Sequence, residues 1–148
     1  MVDALRLFFS ADEDGEGWLD AEVRAKHFAG LGTAWFGRDE LIRFARRLAE
    51  TYPLKEATPL TLEGGFLGRG EVPAQFHVRL TFYPVGSVGL IGCGVYLATP
   101  MSRDDRPASQ AFVSVELLTH YERMRVFARA FEALALGEAT EAVLESEA

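Results

Sequence analysis

Asp12, Asp14 and Glu16 stand at alternate positions with Gly17 at the sixth, the opening spacing of a calcium-binding loop. The twelfth position, where such a loop needs a bidentate Glu, is Val23, and the following residues alternate as a strand where a helix is required. The stretch therefore reads as an acidic hairpin turn, with Asp-Gly and Glu-Gly supplying the turn chemistry. Its carboxylates remain candidates for contact with a cationic partner, beside Trp18.

The other chemistry-bearing residues fall into no catalytic motif. His27, His77 and His120 lie in or beside different elements, without metal-ligand spacing, although His27 and His77 can meet across strands on a polar face. Cys93 sits between Gly92 and Gly94 with no identifiable base nearby, and reads as a small buried hydrophobe. The run from Gly64 to Gly70 lacks the Lys-Ser/Thr ending of a phosphate loop, and no serine has a nucleophile-elbow context. Glu63 and Glu116 can form an acid–base pair only if the fold brings them together. His77, Arg79 and Arg24 on wet strand faces, with Trp18 and Trp35, offer a shallow binding surface, since Trp and Arg are favoured interface anchors. The alternative is that both tryptophans cap the edge of the core, which is the preferred reading for Trp35 and balanced for Trp18.

Two kinds of periodicity predict the elements that position these residues. Leu5 to Ser10 is a short strand-like run, and Leu19, Ala21, Val23 and Ala25 alternate with Asp20, Glu22, Arg24 and Lys26 to complete a first hairpin. Gly30 and Gly32 break that pattern. Leu41, Phe44, Ala45, Leu48 and Tyr52 then recur at helical spacing until Pro53. Strands are expected over 58–66, over Phe76 to Tyr83, over Val88 to Thr99 with its three glycines, and over Ala111 to Leu117. A second helix follows on Tyr121, Met124, Phe127, Ala128, Phe131 and Ala135, closed by Gly137. The phrase Phe44-Ala45-Arg46-Arg47-Leu48 returns as Phe127-Ala128-Arg129-Ala130-Phe131. The order β-β-α-β-β-β-β-α predicts an α+β domain over 1–137: one antiparallel sheet of about six strands, two amphipathic helices on one face, and an acidic tail from Glu138 to Ala148.

The 148 residues suit one domain, with 49% hydrophobic residues and 25% charged. A net charge of −7, with no stripe of Lys or Arg, disfavours nucleic acid and favours a basic partner. A single cysteine excludes an internal disulfide and suits a reducing cytoplasm, and no apolar run is long enough for a membrane span. No signal peptide is expected at the start.

The short first strand, the acidic turn, the alternating Gly17-Trp18-Leu19-Asp20-Ala21-Glu22-Val23 and the Trp35 that precedes a Glu-Leu helix together resemble the bacterial WapI-type immunity proteins and related small bacterial domains. The likeness covers mainly the first fifty residues. It implies a cytoplasmic protein that binds and neutralises a cognate toxin, without catalysis or cofactor. The expected function is thus non-enzymatic binding, through Asp12, Asp14, Glu16, Trp18, His77 and Arg79. The alternative is a self-associating small-ligand binder or an enzyme with its site near the Gly64 to Pro73 loop.

Overall fold

The alternation of the first hairpin continues into a third strand, and this decides the architecture. The computed structural model, which describes residues 2–66 and 75–147, has β1 (Ala4–Ala11), β2 (Glu16–Ala25) and β3 (Phe28–Gly37) as an antiparallel meander leading directly into α1 (Arg38–Glu50). Next come β4 (Leu60–Phe66), β5 (Gln75–Val85), β6 (Leu90–Ala98) and β7 (Phe112–His120), which again runs directly into α2 (Tyr121–Ala135), and finally β8 (Ala142–Glu145). The α+β class and the antiparallel pairing are as the periodicity requires. The single sheet of about six strands is instead two sheets of four, ordered β3-β2-β1-β8 and β4-β5-β6-β7.

Two strands account for most of the difference. β3 contains Gly30 and Gly32, which read as breakers in the sequence, yet both are paired in register with β2, to Val23 and Ala21. Their smallness permits close approach rather than a turn. A β-carbon on Gly30 would lie 2.5 Å from the Val113 side chain of β7, and one on Gly32 2.5 Å from the His77 carbonyl oxygen of β5 and 3.0 Å from Leu97 of β6. Further along, the Phe36 ring fills the space that a side chain on Gly64 of β4 would need. The inner face of β3 thus runs across all four strands of the second sheet, a crossing rather than an aligned packing. β8, which falls in the stretch expected to be an acidic tail, pairs with β1 through Leu7↔Ala142 to Ala4↔Glu145. Buried Ala142 and Leu144 anchor it.

The chain therefore repeats β-β-β-α-β. β4 follows α1 but pairs with β5, the first strand of the second half, and β8 follows α2 but pairs with β1, the first strand of the first half. Each half completes the other's sheet. The helices are reciprocal as well: Arg38, the first residue of α1, donates to the Ala135 carbonyl at the end of α2 (2.8 Å), and Tyr121, the first of α2, accepts from the Leu54 N–H just beyond α1 (2.9 Å). The repeated helical phrase belongs to this arrangement. Phe44 and Phe127 both reach Phe82 of β5, at ring separations of 6.3 and 6.2 Å, and both meet Phe131, within one continuous core. Among the described residues no helix is long and apolar enough to cross a membrane.

Because the atom facing Gly32 is backbone, it cannot swing aside. Gly32→Ala is expected to destabilise the protein by about 1–3 kcal/mol in urea unfolding, whereas Gly94→Ala, whose β-carbon would meet only ordinary contacts from 3.5 Å outward, changes little. Equal midpoints for the two variants would contradict the crossing.

Candidate binding face

The outer face of the β3-β2-β1-β8 sheet is built by the residues that alternate with its core positions. At one end Trp18 of β2 and Trp35 of β3 stand directly opposite each other, with ring centroids 4.9 Å apart and planes at 79°. They are 50% and 42% exposed, large for paired tryptophans. The Trp35 indole N–H donates to Glu16 Oε2 at 3.3 Å, and the Thr33 hydroxyl donates to Asp20 Oδ1 at 2.8 Å, so the carboxylates on either side of Trp18 along β2 are each held by one hydrogen bond. Ser10 of β1 completes this end of the face.

Toward the other end the strands form an open depression of about 920 Å³. Ala4, Ala29, exposed Leu31 and Val143 supply its apolar lining, and Arg6, Glu22, Arg24, Glu141 and Glu145 its charges. Arg6 is paired with Glu141 at 3.2 Å. Counting the β1–β2 turn, the described residues of this face carry eight carboxylates, at 12, 13, 14, 16, 20, 22, 141 and 145, against three guanidinium groups, Arg6, Arg24 and Arg38, the last beside Gly15 of the turn. That excess of five represents most of the chain's net charge of −7. The two helices, by contrast, carry seven of the 15 basic residues, Arg38 included.

The structure divides the candidate residues between two sheets. Asp12, Asp14, Glu16 and Trp18 share the aromatic end just described. Asp12 is the turn's organiser, its Oδ1 accepting from the N–H groups of Asp14 (2.9 Å) and Glu16 (3.3 Å), while Asp14 is exposed in the turn. His77 and Arg79 belong to β5 in the other sheet. His77 is not on a wet face as its alternation suggested: it is 2% exposed, bonded to Gln75 Oε1 at 3.1 Å, and packed edge-on against Phe66. Burial lowers its pKa and so favours the neutral ring. Gln75 is itself fixed by the Met101 backbone, a long-range bond that alternation cannot reveal. Arg79 lies over the Phe76 ring at 4.1 Å and pairs with Glu63 at 3.2 Å.

The remaining candidates do not converge on a reaction centre. His27 lies in the β2–β3 turn, and His120 caps α2 while its Nε2 faces Glu147 at 2.7 Å. Glu63 and Glu116 occupy opposite edge strands of the second sheet, β4 and β7, about 14 Å apart by strand spacing, which is beyond the reach of a carboxylate pair. Cys93 is fully buried, and burial, with the Glu116 charge second, pushes its thiol well above the usual range. Of the Gly64 to Pro73 loop, Gly64 to Phe66 form the end of β4 and 67–73 lie outside the described residues. Among the described residues no group of His, Cys, Asp and Glu is arranged to hold a metal ion.

Sequence reasoning favoured Trp35 as a cap on the core over its place on a binding surface, and missed Leu31 and the contribution of β8 to this face. The signal for Trp35 was its odd-numbered alternation with Gly32, Ala34 and Phe36, which becomes visible once small residues are allowed in a strand interior. Comparison with known proteins finds no matching family model, no similar curated protein and no similar solved structure.

The outer face of the second sheet carries Tyr83, Glu116 and the Tyr96–Phe112 ring pair, of which Phe112 is exposed. Tyr83 lies over Gly92 and Gly94 and its hydroxyl donates to Glu116. Burial first, and then that hydrogen bond, hold the phenol well above its ordinary pKa of 10.0. A raised pKa means the fold favours the protonated phenol. Its stabilising effect is whole below pH 10.0 and lost as pH rises through the higher folded value. In an alkaline absorbance titration, one phenol is expected to stay protonated well past pH 10.0, and Tyr83→Phe to remove that late step. Superimposable titrations of the two proteins would contradict the assignment.

Proposed function

We propose that the protein is a non-enzymatic, cytoplasmic binding protein, immunity-like in mode of action, that takes a basic protein on the outer face of the β3-β2-β1-β8 sheet. The observation that carries this reading is the exposed Trp18–Trp35 pair set among carboxylates. Exposed aromatics flanked by polar groups are the usual energetic centre of an interface. The surrounding negative field steers a cationic partner and repels anionic ones. It also disfavours self-association through this face, since a second copy would bring like charges together. The WapI-type resemblance of the first fifty residues supports the same reading, because those residues form this hairpin and its Trp pair.

The test is capture of the tagged protein from its own cells, with neighbouring gene products co-expressed, alongside a Trp18→Ala, Trp35→Ala double variant. The expected result is one stoichiometric basic partner, weakened by salt, whose affinity for the double variant falls by more than about tenfold. Equal capture by both proteins, or capture of no partner, would overturn the proposal.

A further inference from the structure

We infer that the anchor of this face is a receptor for an arginine side chain of the partner. The inference rests on the binding reading above and names the group that the Trp18–Trp35 pair takes. Two features define the chemistry. The indoles meet edge to face, so neither lies flat over the other, and both are about half exposed. The outward residues nearest them are hydrogen-bond acceptors or hydroxyls: Glu16, Asp20, Ser10 and Thr33.

At three other rings the chain supplies a cation of its own. Arg79 covers Phe76 at 4.1 Å, and Arg125 lies 5.8 and 5.9 Å from the Tyr52 and Tyr121 ring centroids. Among the described residues no Arg or Lys lies over Trp18 or Trp35. The nearby Arg38 is held at the start of α1, with its Nε on the Ala135 carbonyl. Indole is the strongest of the aromatic cation acceptors, so the pair is an aromatic site that no cation of the described residues covers.

Arginine fits better than lysine for a geometric reason. Glu16 and Asp20 flank Trp18 on the same face of β2, and each already uses one oxygen, on the Trp35 indole and the Thr33 hydroxyl, which fixes its orientation. The second oxygen of each, without a partner among the described residues, is free to accept. A guanidinium stacked on an indole presents donors in its own plane and can reach a carboxylate while stacked. An ammonium is a point charge that meets either the ring or the carboxylate well, and is more costly to strip of water.

Trp18 and Trp35 are the only tryptophans, so indole emission excited selectively, beyond the absorption of the four tyrosines, reports this pair. The full-length protein is titrated at low salt with oligoarginine, oligolysine and glycine–serine peptides of equal length, and again as the Glu16→Gln, Asp20→Asn variant. Oligoarginine is expected to change the emission with a Kd at least about tenfold below that of oligolysine, the neutral peptide to do nothing, and the variant to lose the preference while keeping the far-ultraviolet circular dichroism of the folded protein. Equal affinities for the two cationic peptides would overturn the arginine anchor and leave the basic-partner reading standing. No emission change with either peptide would also overturn the anchor. If a partner is nevertheless captured through the tryptophans, only the anchor fails; if none is captured, the binding reading fails with it.

Discussion

The close crossing of β3 over the second sheet is the constraint on which the rest of the molecule depends. Gly30, Gly32 and Ala34 bring one strand's backbone almost onto the side chains and carbonyls of β7, β6 and β5, and Phe36 closes over Gly64 of β4. With the inner positions of β3 committed to that contact, its alternate residues Leu31, Thr33 and Trp35 must face solvent. The tryptophan pair on the surface is thus a consequence of the small residues beneath it. The exchange of last strands closes the same design. β4 and β8 each leave their own half to complete the other's sheet, so the two crossed sheets and the paired helices form one core rather than two subdomains.

What was legible in the sequence followed from strong local periodicity. α1 and α2 carry clear helical stripes, and β2 and β5 alternate cleanly, so all four were readable within a few residues. β3 was not, because glycine in a strand interior signals a break when the surface it approaches is unknown. β8 was hidden by its length, four residues in an acidic stretch, and acquires its strand character from pairing with β1. The division of eight strands into two sheets is a tertiary fact with no local signature.

The same logic separates the candidate residues. Asp12, Asp14, Glu16 and Trp18 are close in sequence, and a hairpin keeps them close in space, so their grouping was readable. His77 and Arg79 are two residues apart on one strand, yet one is buried under Phe66 and tied to Gln75 while the other is half exposed and paired with Glu63. Their fates depend on residues from other elements. Cys93 and Glu116, adjacent to the same glycine-rich strand region, are likewise drawn into core packing and the Tyr83 contact.

The two outer faces differ in how far the chain satisfies them. On the second sheet Tyr83 covers the glycines; Glu116, Glu63, Arg79 and Phe76 have partners, and the exposed Phe112 ring lies beside Tyr96 without a carboxylate frame. On the first, the tryptophans and the carboxylates of Glu13, Asp14, Glu22 and Glu145 are left to solvent. The most direct test of this contrast is nuclear magnetic resonance titration of labelled protein with the captured basic partner. The account predicts that the two indole N–H signals of Trp18 and Trp35 shift together, with the amides of β2 and β3, while those around Tyr83 and Glu116 stay fixed. Shifts centred on the second sheet or on the helices, with unmoved indole signals, would contradict it.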